Sequence, residues 1–191
     1  MLYWVRPARR QGILLLVMHP QSLLIQPAEP IDWSDPRLRR HCVAFRDARK
    51  GGAEWKRGMA ALLRDTTCPG APVGLLVLLA RVYVKRWQYE QAYACLQDVV
   101  KRVPGLQEAR SIMGVVCFCM KRFEEARVHL QIAISLNPRD EIAWGRLAIC
   151  FDTQGKHAPT RACVLRQLEI NPGNAGARRH LAMLDGEEGA Q

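Results

Sequence analysis

Apolar positions along this chain follow two regimes. Between residues 19 and 36 they come as short clusters, Leu23-Leu24-Ile25 and Ile31 with Trp33, set among Pro20, Pro27, Pro30 and Pro36. Proline lacks a backbone donor and fixes φ, so this stretch cannot form a continuous helix and reads as an extended linker. From residue 37 the apolar residues recur at three- and four-residue spacing, as on helices with one buried stripe. Gly51-Gly52 and Pro69-Gly70 break that pattern early, and Pro104, Pro138 and Pro172 break it later. The breaks predict a helix from about Arg37 to Lys50, a second from about Ala53 to Asp65, three longer units and a last helix over 175–185. The tail 186–191 is expected to be disordered.

The three later prolines are each 34 residues apart, and two share a context, Leu136-Asn137-Pro138 and Ile170-Asn171-Pro172. A fixed period of this length marks a stacked repeat. Placing each proline at position 32 divides the chain into 73–106, 107–140 and 141–174. The first unit then has Leu76, Leu79, Ala80, Tyr83, Ala92, Leu96 and Val99 in phase with Pro104. The second has Met113, Gly114, Cys117, Ala126, Leu130 and Ala133, and the third Trp144, Leu147, Ala148, Phe151, Thr160 and Val164.

These anchors resemble the tetratricopeptide-repeat (TPR) consensus across residues 73–174. Its large residues stand at positions 4, 7, 11 and 24, its small ones at 8 and 20, and its proline at 32. The pairs at 8 and 20 are Ala80/Ala92, Gly114/Ala126 and Ala148/Thr160, small enough for two helices of a hairpin to cross closely. Arg110 departs at position 4 and Gln167 at position 27. The resemblance implies an all-α fold, a TPR α-solenoid of antiparallel helix hairpins with a C-terminal capping helix. Residues 37–72 read as a degenerate first hairpin: Phe45, Gly58 and Leu62 fit the register and Arg46 does not. Residues 1–36 form an N-terminal extension, expected to regulate access or self-association.

In that family positions 2, 5, 9, 12 and 13 of each first helix line a concave groove. Carried over, they give Val77, Arg81, Val84 and Lys85, then Glu108, Ser111, Val115, Phe118 and Cys119. Ile142, Gly145, Ile149, Asp152 and Thr153 follow, with Arg179 and Met183 from the cap. The centre is apolar, the edges are basic, and Phe118 is the expected anchor. The carboxylate clamp of chaperone-binding members needs Lys and Asn at positions 5 and 9, which here hold Val77/Arg81, Ser111/Val115 and Gly145/Ile149. An apolar or amphipathic peptide or helix of a partner protein suits the groove better. A second copy of the chain, or its own N-terminal segment, is the competing occupant. The resemblance further implies a scaffold or adaptor, in the manner of small secretion or pilus-assembly accessories and chaperones of bacteria.

Composition narrows the function classes. Apolar residues make up 49% and charged residues 24%, as in a folded domain. The net charge is +10, and residues 1–72 carry 12 Lys and Arg against 6 Asp and Glu. The clusters Arg37-Leu38-Arg39-Arg40 and Lys56-Arg57 raise an alternative, a basic nucleic-acid-associated regulator. Without a nucleic-acid motif or interleaved aromatics, nucleic acid is not the expected partner. Two readings fit the N-terminus: a short signal-like segment, with Arg6, Arg9 and Arg10 before Ile13 to Met18, or a true start at Met18. That apolar run is too short to be a transmembrane segment. Seven cysteines at no framework spacing suit a reducing, cytoplasmic setting.

Cys117 and Cys119 lie about 200° apart on a helix and cannot share one ion. Cys95, His129 and Cys163 stand at one repeat position but a repeat apart. No phosphate loop, paired-histidine motif or nucleophile elbow is present. The reading is therefore no enzyme, no cofactor and no metal.

Overall fold

Two helices joined by a tight turn make each 34-residue unit, and three local devices shape the array. The computed structural model describes residues 27–47, 52–68 and 70–188. The readings placed on Arg6 to Ile25, on Gly51, on Pro69 and on 189–191 lie outside the described residues, as do the side chains of Phe45 and Arg46. Among the described residues there are nine helices and no strand. They are α1 (Pro36–Asp47), α2 (Ala53–Thr67), α3 (Val73–Lys85), α4 (Tyr89–Arg102), α5 (Gln107–Cys119), α6 (Phe123–Leu136), α7 (Glu141–Asp152), α8 (His157–Ile170) and α9 (Ala175–Glu188).

The hairpins α3–α4, α5–α6 and α7–α8 stack in order, α4 on α5 and α6 on α7, with α9 closing on α8. This is the all-α TPR solenoid expected from the sequence. One core runs from Leu76 through Leu96, Met113, Leu130 and Trp144 to Leu184. A second joins Leu38, Trp55, Met59 and Leu62 to Leu75, Leu78, Leu79 and Val82. Helix α3 is covered on both sides, which explains why VGLLVLLARVYVK is apolar nearly all round.

The first device is the close crossing. Ala80, Ala92, Ala126, Ala148 and Thr160 are fully buried. A Cβ on Gly114 would come 2.5 Å from Leu130 Cγ and 3.3 Å from the Ala126 carbonyl. The Thr160 hydroxyl donates to the Lys156 carbonyl at 2.7 Å, so its burial leaves no unmet donor.

The second device fixes where a hairpin begins. The position-4 side chain donates to the carbonyl of the proline six residues earlier: Trp144 Nε1 to Pro138 at 2.9 Å, Arg110 Nε to Pro104 at 2.9 Å, Arg178 Nε to Pro172 at 3.0 Å. Arg110 departs from the consensus in shape and keeps the hydrogen bond. Asn137 and Asn171 accept the N–H two residues on, and Asp140 and Asn174 cap the next helix through Ala143 N and Ala177 N, both at 2.9 Å. The recurring Asn-Pro context encodes this connection.

The third device is the turn inside each hairpin. Trp87, Lys121 and Gly155 hold φ of 64°, 61° and 66°. The next N–H in each case reaches five residues back: Gln88 to Tyr83 at 3.0 Å, Arg122 to Cys117 at 2.9 Å, Lys156 to Phe151 at 3.0 Å. This is a Schellman helix end with a left-handed residue.

The leading hairpin is held by polar contacts as well as by its core. Arg40 at 2.5 Å and buried His41 at 2.9 Å both meet Asp65, tying α1 to α2. The His41 hydrogen bond, with Arg40 beside it, holds the Asp65 carboxyl below the usual range. Ahead of α1, residues 27–35 run as an extended strap. Ala28 N–H donates to Gly105 O at 2.9 Å, Ile31 lies where a Cβ on Gly74 would meet it at 3.1 Å, and Trp33 sits 5.1 Å beneath the Arg81 guanidinium.

Gly114→Ala should destabilise the chain by about 1–3 kcal/mol, because the added methyl meets backbone as well as Leu130. Ala126→Glu should cost more, since it also buries a charge. Urea melts of the two variants test this; a wild-type midpoint for either would show that the helices do not cross tightly there.

Candidate protein-interaction groove

The apolar faces that the stack leaves open converge on one side. A cavity of ≈ 850 Å³ lies between the α1–α2 hairpin and helices α3, α5 and α7. Its floor is Trp55, Leu78, Val82, Val84, Ile112 and Val115, Ile142 stands at its mouth, and its charged rim is Arg81, Lys85, Arg86, Glu108 and Asp140. The acidic groups are engaged internally. Glu108 pairs with Arg81 at 2.7 Å, and Asp140 accepts from Gln107 Nε2 at 2.5 Å while capping α7. Arg86 lies 4.5 Å above the Trp55 ring. A second cavity of ≈ 380 Å³ follows along α7 and α9, lined by Ile142, Gly145, Arg146, Ile149, Gln167 and His180 among others. Ile142, 65% exposed, borders both.

Of the residues assigned to the groove from the sequence, Arg81, Val84, Lys85, Ser111, Val115 and Ile142 line the first cavity, and Ile142 and Ile149 line the second. Two assignments need correction. Val77 is fully buried in the core that Ile31 and Trp33 pack against, so it presents nothing to a ligand. Phe118 is half-buried and lines neither cavity. It sits at the end of α5, edge-on to Phe123 at 5.6 Å and beneath Arg146 at 5.8 Å, which makes it a packing residue. Arg179 is exposed on α9, outside both cavities.

Sequence reasoning missed Trp55, Leu78, Val82 and Arg86, because they come from the leading hairpin and from positions that a regular array would bury. The signal was the apolar excess of α3. Gln167 also makes sense now: a Cβ on Gly145 would lie 2.7 Å from its amide nitrogen, so the long side chain fills the space the glycine leaves.

One polar cluster lies away from the groove. Cys117 Sγ, a Glu125 oxygen and a His129 nitrogen fall within 4.8 Å of one another. Their donor set does not fit a cation. Glu125 accepts from Tyr93 Oη at 2.5 Å and faces Arg122 at 3.7 Å. Arg110 Nη1 lies 3.3 Å from His129 Nδ1, and a guanidinium can only donate, so the ring proton sits on Nε2 toward Glu125. Burial pushes the Cys117 thiol up to about 12 and His129 down to about 4. The cluster therefore ties α4, α5 and α6 together as neutral thiol, neutral imidazole and paired carboxylate.

The family model of the coatomer epsilon subunit matches residues 77–181, more than half of the sequence. The chain belongs to that family. It is also similar to the N-terminal acetyltransferase A complex auxiliary subunit NAA15 of Arabidopsis thaliana, 22% identical over 119 residues. That match covers 62% of this chain and 13% of the relative's length. Among solved structures, MamA aligns over 71% of this chain and 80% of its own with a TM-score of 0.68 at 22% identity. The first TPR domain of RPAP3, solved with an HSP90 peptide, aligns over 61% and 93% with a TM-score of 0.59 at 20% identity. At these identities the structural likeness carries the TPR fold.

The buried imidazole sets a pH dependence. His129 titrates near 6.5 when unfolded and about 4 when folded, so between those values the unfolded chain binds more protons. Stability from this group is complete above about pH 6.5 and is lost as pH falls toward 4, up to about 3 kcal/mol in all. Denaturant melts from pH 7 to 4 should show this slope, and His129→Gln should flatten it.

Proposed function

We propose that this chain is a protein-interaction scaffold that seats an apolar or amphipathic segment of a partner protein along the groove formed by α3, α5 and α7. The carrying observation is the apolar-floored cavity of ≈ 850 Å³, with Ile142 exposed at its mouth and Arg81, Lys85 and Arg86 at its rim. Its volume lies within the range of ligand-binding clefts, and Ile142 also lines the second cavity. The strap supports the reading, since Ile31 and Trp33 already pack an extended apolar segment on the neighbouring part of α3.

RPAP3 takes the HSP90 peptide SRMEEVD. This chain lacks the Lys and Asn of the chaperone clamp, so a different ligand is expected, held through side chains sunk into an apolar floor. All seven cysteines are free, which suits a cytoplasmic setting. No helix of the described residues is long and apolar enough to cross a membrane. Service as a secretion or pilus-assembly accessory, or as a chaperone, would use the same groove.

The test is affinity purification of the full chain, followed by calorimetry with the partner obtained. Ile142→Glu should weaken binding by about 1–3 kcal/mol and leave the melting temperature near wild type, because the side chain is largely exposed. Phe118→Ala should do the reverse, lowering stability through its lost contacts with Phe123 and Arg146 while sparing affinity. Normal binding by Ile142→Glu would place the ligand elsewhere.

A further inference from the structure

The strap ahead of α1 crosses the stack at a fixed pace. Ile31 lies over Gly74, the second residue of α3, where a Cβ would meet it at 3.1 Å. Three residues earlier the Ala28 N–H donates to the Gly105 carbonyl at 2.9 Å, just ahead of α5. Those three residues therefore carry the chain from the start of one hairpin to the start of the next. The first helices of successive hairpins touch one another. Extended backbone covers about 10 Å in three residues, and packed helices lie about 8–10 Å apart, so the pace matches the stack. Pro27 and Pro30 keep this part of the chain extended.

The next step upstream ends at α7. Arg139 holds in its unit the place that Gly105 holds in the unit before. Gly105, under the strap, is buried, and Arg139 is exposed. Just beyond Arg139 stands Ile142, the second residue of α7, 65% exposed and shared by both cavities. Three residues before Ala28 stands Ile25, the end of the triplet Leu23-Leu24-Ile25. At the strap's own pace, the apolar triplet reaches the stack where the apolar mouth is.

The chemistry agrees. From Pro20 to Gln26 the chain carries no charged residue. The mouth asks for none, because its carboxylates are engaged: Glu108 pairs with Arg81 at 2.7 Å, and Asp140 accepts from Gln107 at 2.5 Å.

We propose that residues 23–25 of this chain are the resident occupant of the groove beyond the strap, with Ile25 on Ile142 and Leu23 reaching the second cavity beside Gly145 and Ile149. This rests on the groove reading above and adds to it that a partner's segment binds by displacing the chain's own. The tether is short, so the segment competes at an effective concentration on the order of millimolar. That competition lowers a partner's apparent affinity, and loss of the triplet raises it.

Four full-length chains test this: wild type, Ile142→Glu, the triple variant Leu23→Glu/Leu24→Glu/Ile25→Glu, and the triple variant with Ile142→Glu added. The probes are the apolar dye ANS, a synthetic peptide of residues 19–27, and light scattering. The triple variant should bind more ANS than wild type while keeping its cooperative melt, and Ile142→Glu should cancel that gain. The peptide should bind the triple variant and compete ANS away. It should bind wild type about tenfold or more weakly, because the tethered copy holds the seat. Wild type and the triple variant should have the same mass in solution.

Equal ANS binding by wild type and the triple variant, lowered in both by Ile142→Glu, would overturn the inference and leave an open groove standing. ANS binding indifferent to Ile142→Glu in both backgrounds, with no gain in the triple variant, would sink both readings. A gain that survives Ile142→Glu reports a loosened fold and overturns the inference. So does a peptide that fails to bind the triple variant, or that binds wild type as tightly. A larger mass for wild type than for the triple variant would put the segment in the groove of a second copy, which also overturns it.

Discussion

Everything in this chain depends on how closely two helices can approach within one hairpin. At Gly114 and Ala126 there is no room for another methyl group, because a Cβ on the glycine would meet Leu130 and the Ala126 carbonyl together. That approach sets the tilt between paired helices and pushes the large residues to either side of the crossing. A single hairpin then shows an apolar face that it cannot bury, and only a neighbouring hairpin covers it. Stacking is therefore a consequence of the crossing. So is the open side of the stack, where the first helices leave apolar residues such as Val115 and Ile142 uncovered.

The sequence made the array legible because its constraints are local and periodic. The proline spacing, the small residues at the crossings and the Asn-Pro connections each act within a few residues, so a single chain displays them. Arg110 looked like a departure because its size and charge were compared with the consensus. The structure shows that the position needs a donor reaching the proline carbonyl six residues back, which arginine, like Trp144, supplies.

The groove was legible only in part, because its limits come from contacts far apart in sequence. Val77 sits at a groove position of the repeat but is sealed within the core that Ile31 and Trp33 pack against, forty-odd residues earlier in the chain. The same holds for Trp55 and Arg86, which wall the cavity from the leading hairpin and its neighbouring turn. Phe118 was misread for another reason. Near the end of α5 the next helix begins within a few residues, and Phe123 takes the ring that a regular helix face would have presented to a ligand.

The strap gives the proposed ligand a direction. At one end of the groove Trp33 lies under Arg81, Arg81 is paired to Glu108, and Ile31 covers Gly74, so a second extended segment has no free surface there. At the other end Ile142 is open and joins two cavities. A segment entering from the α7 side can fill the large cavity but cannot continue along α3 past Arg81 without displacing Trp33. To go further it would have to leave the α3 face, since Arg81 is engaged by both Trp33 and Glu108.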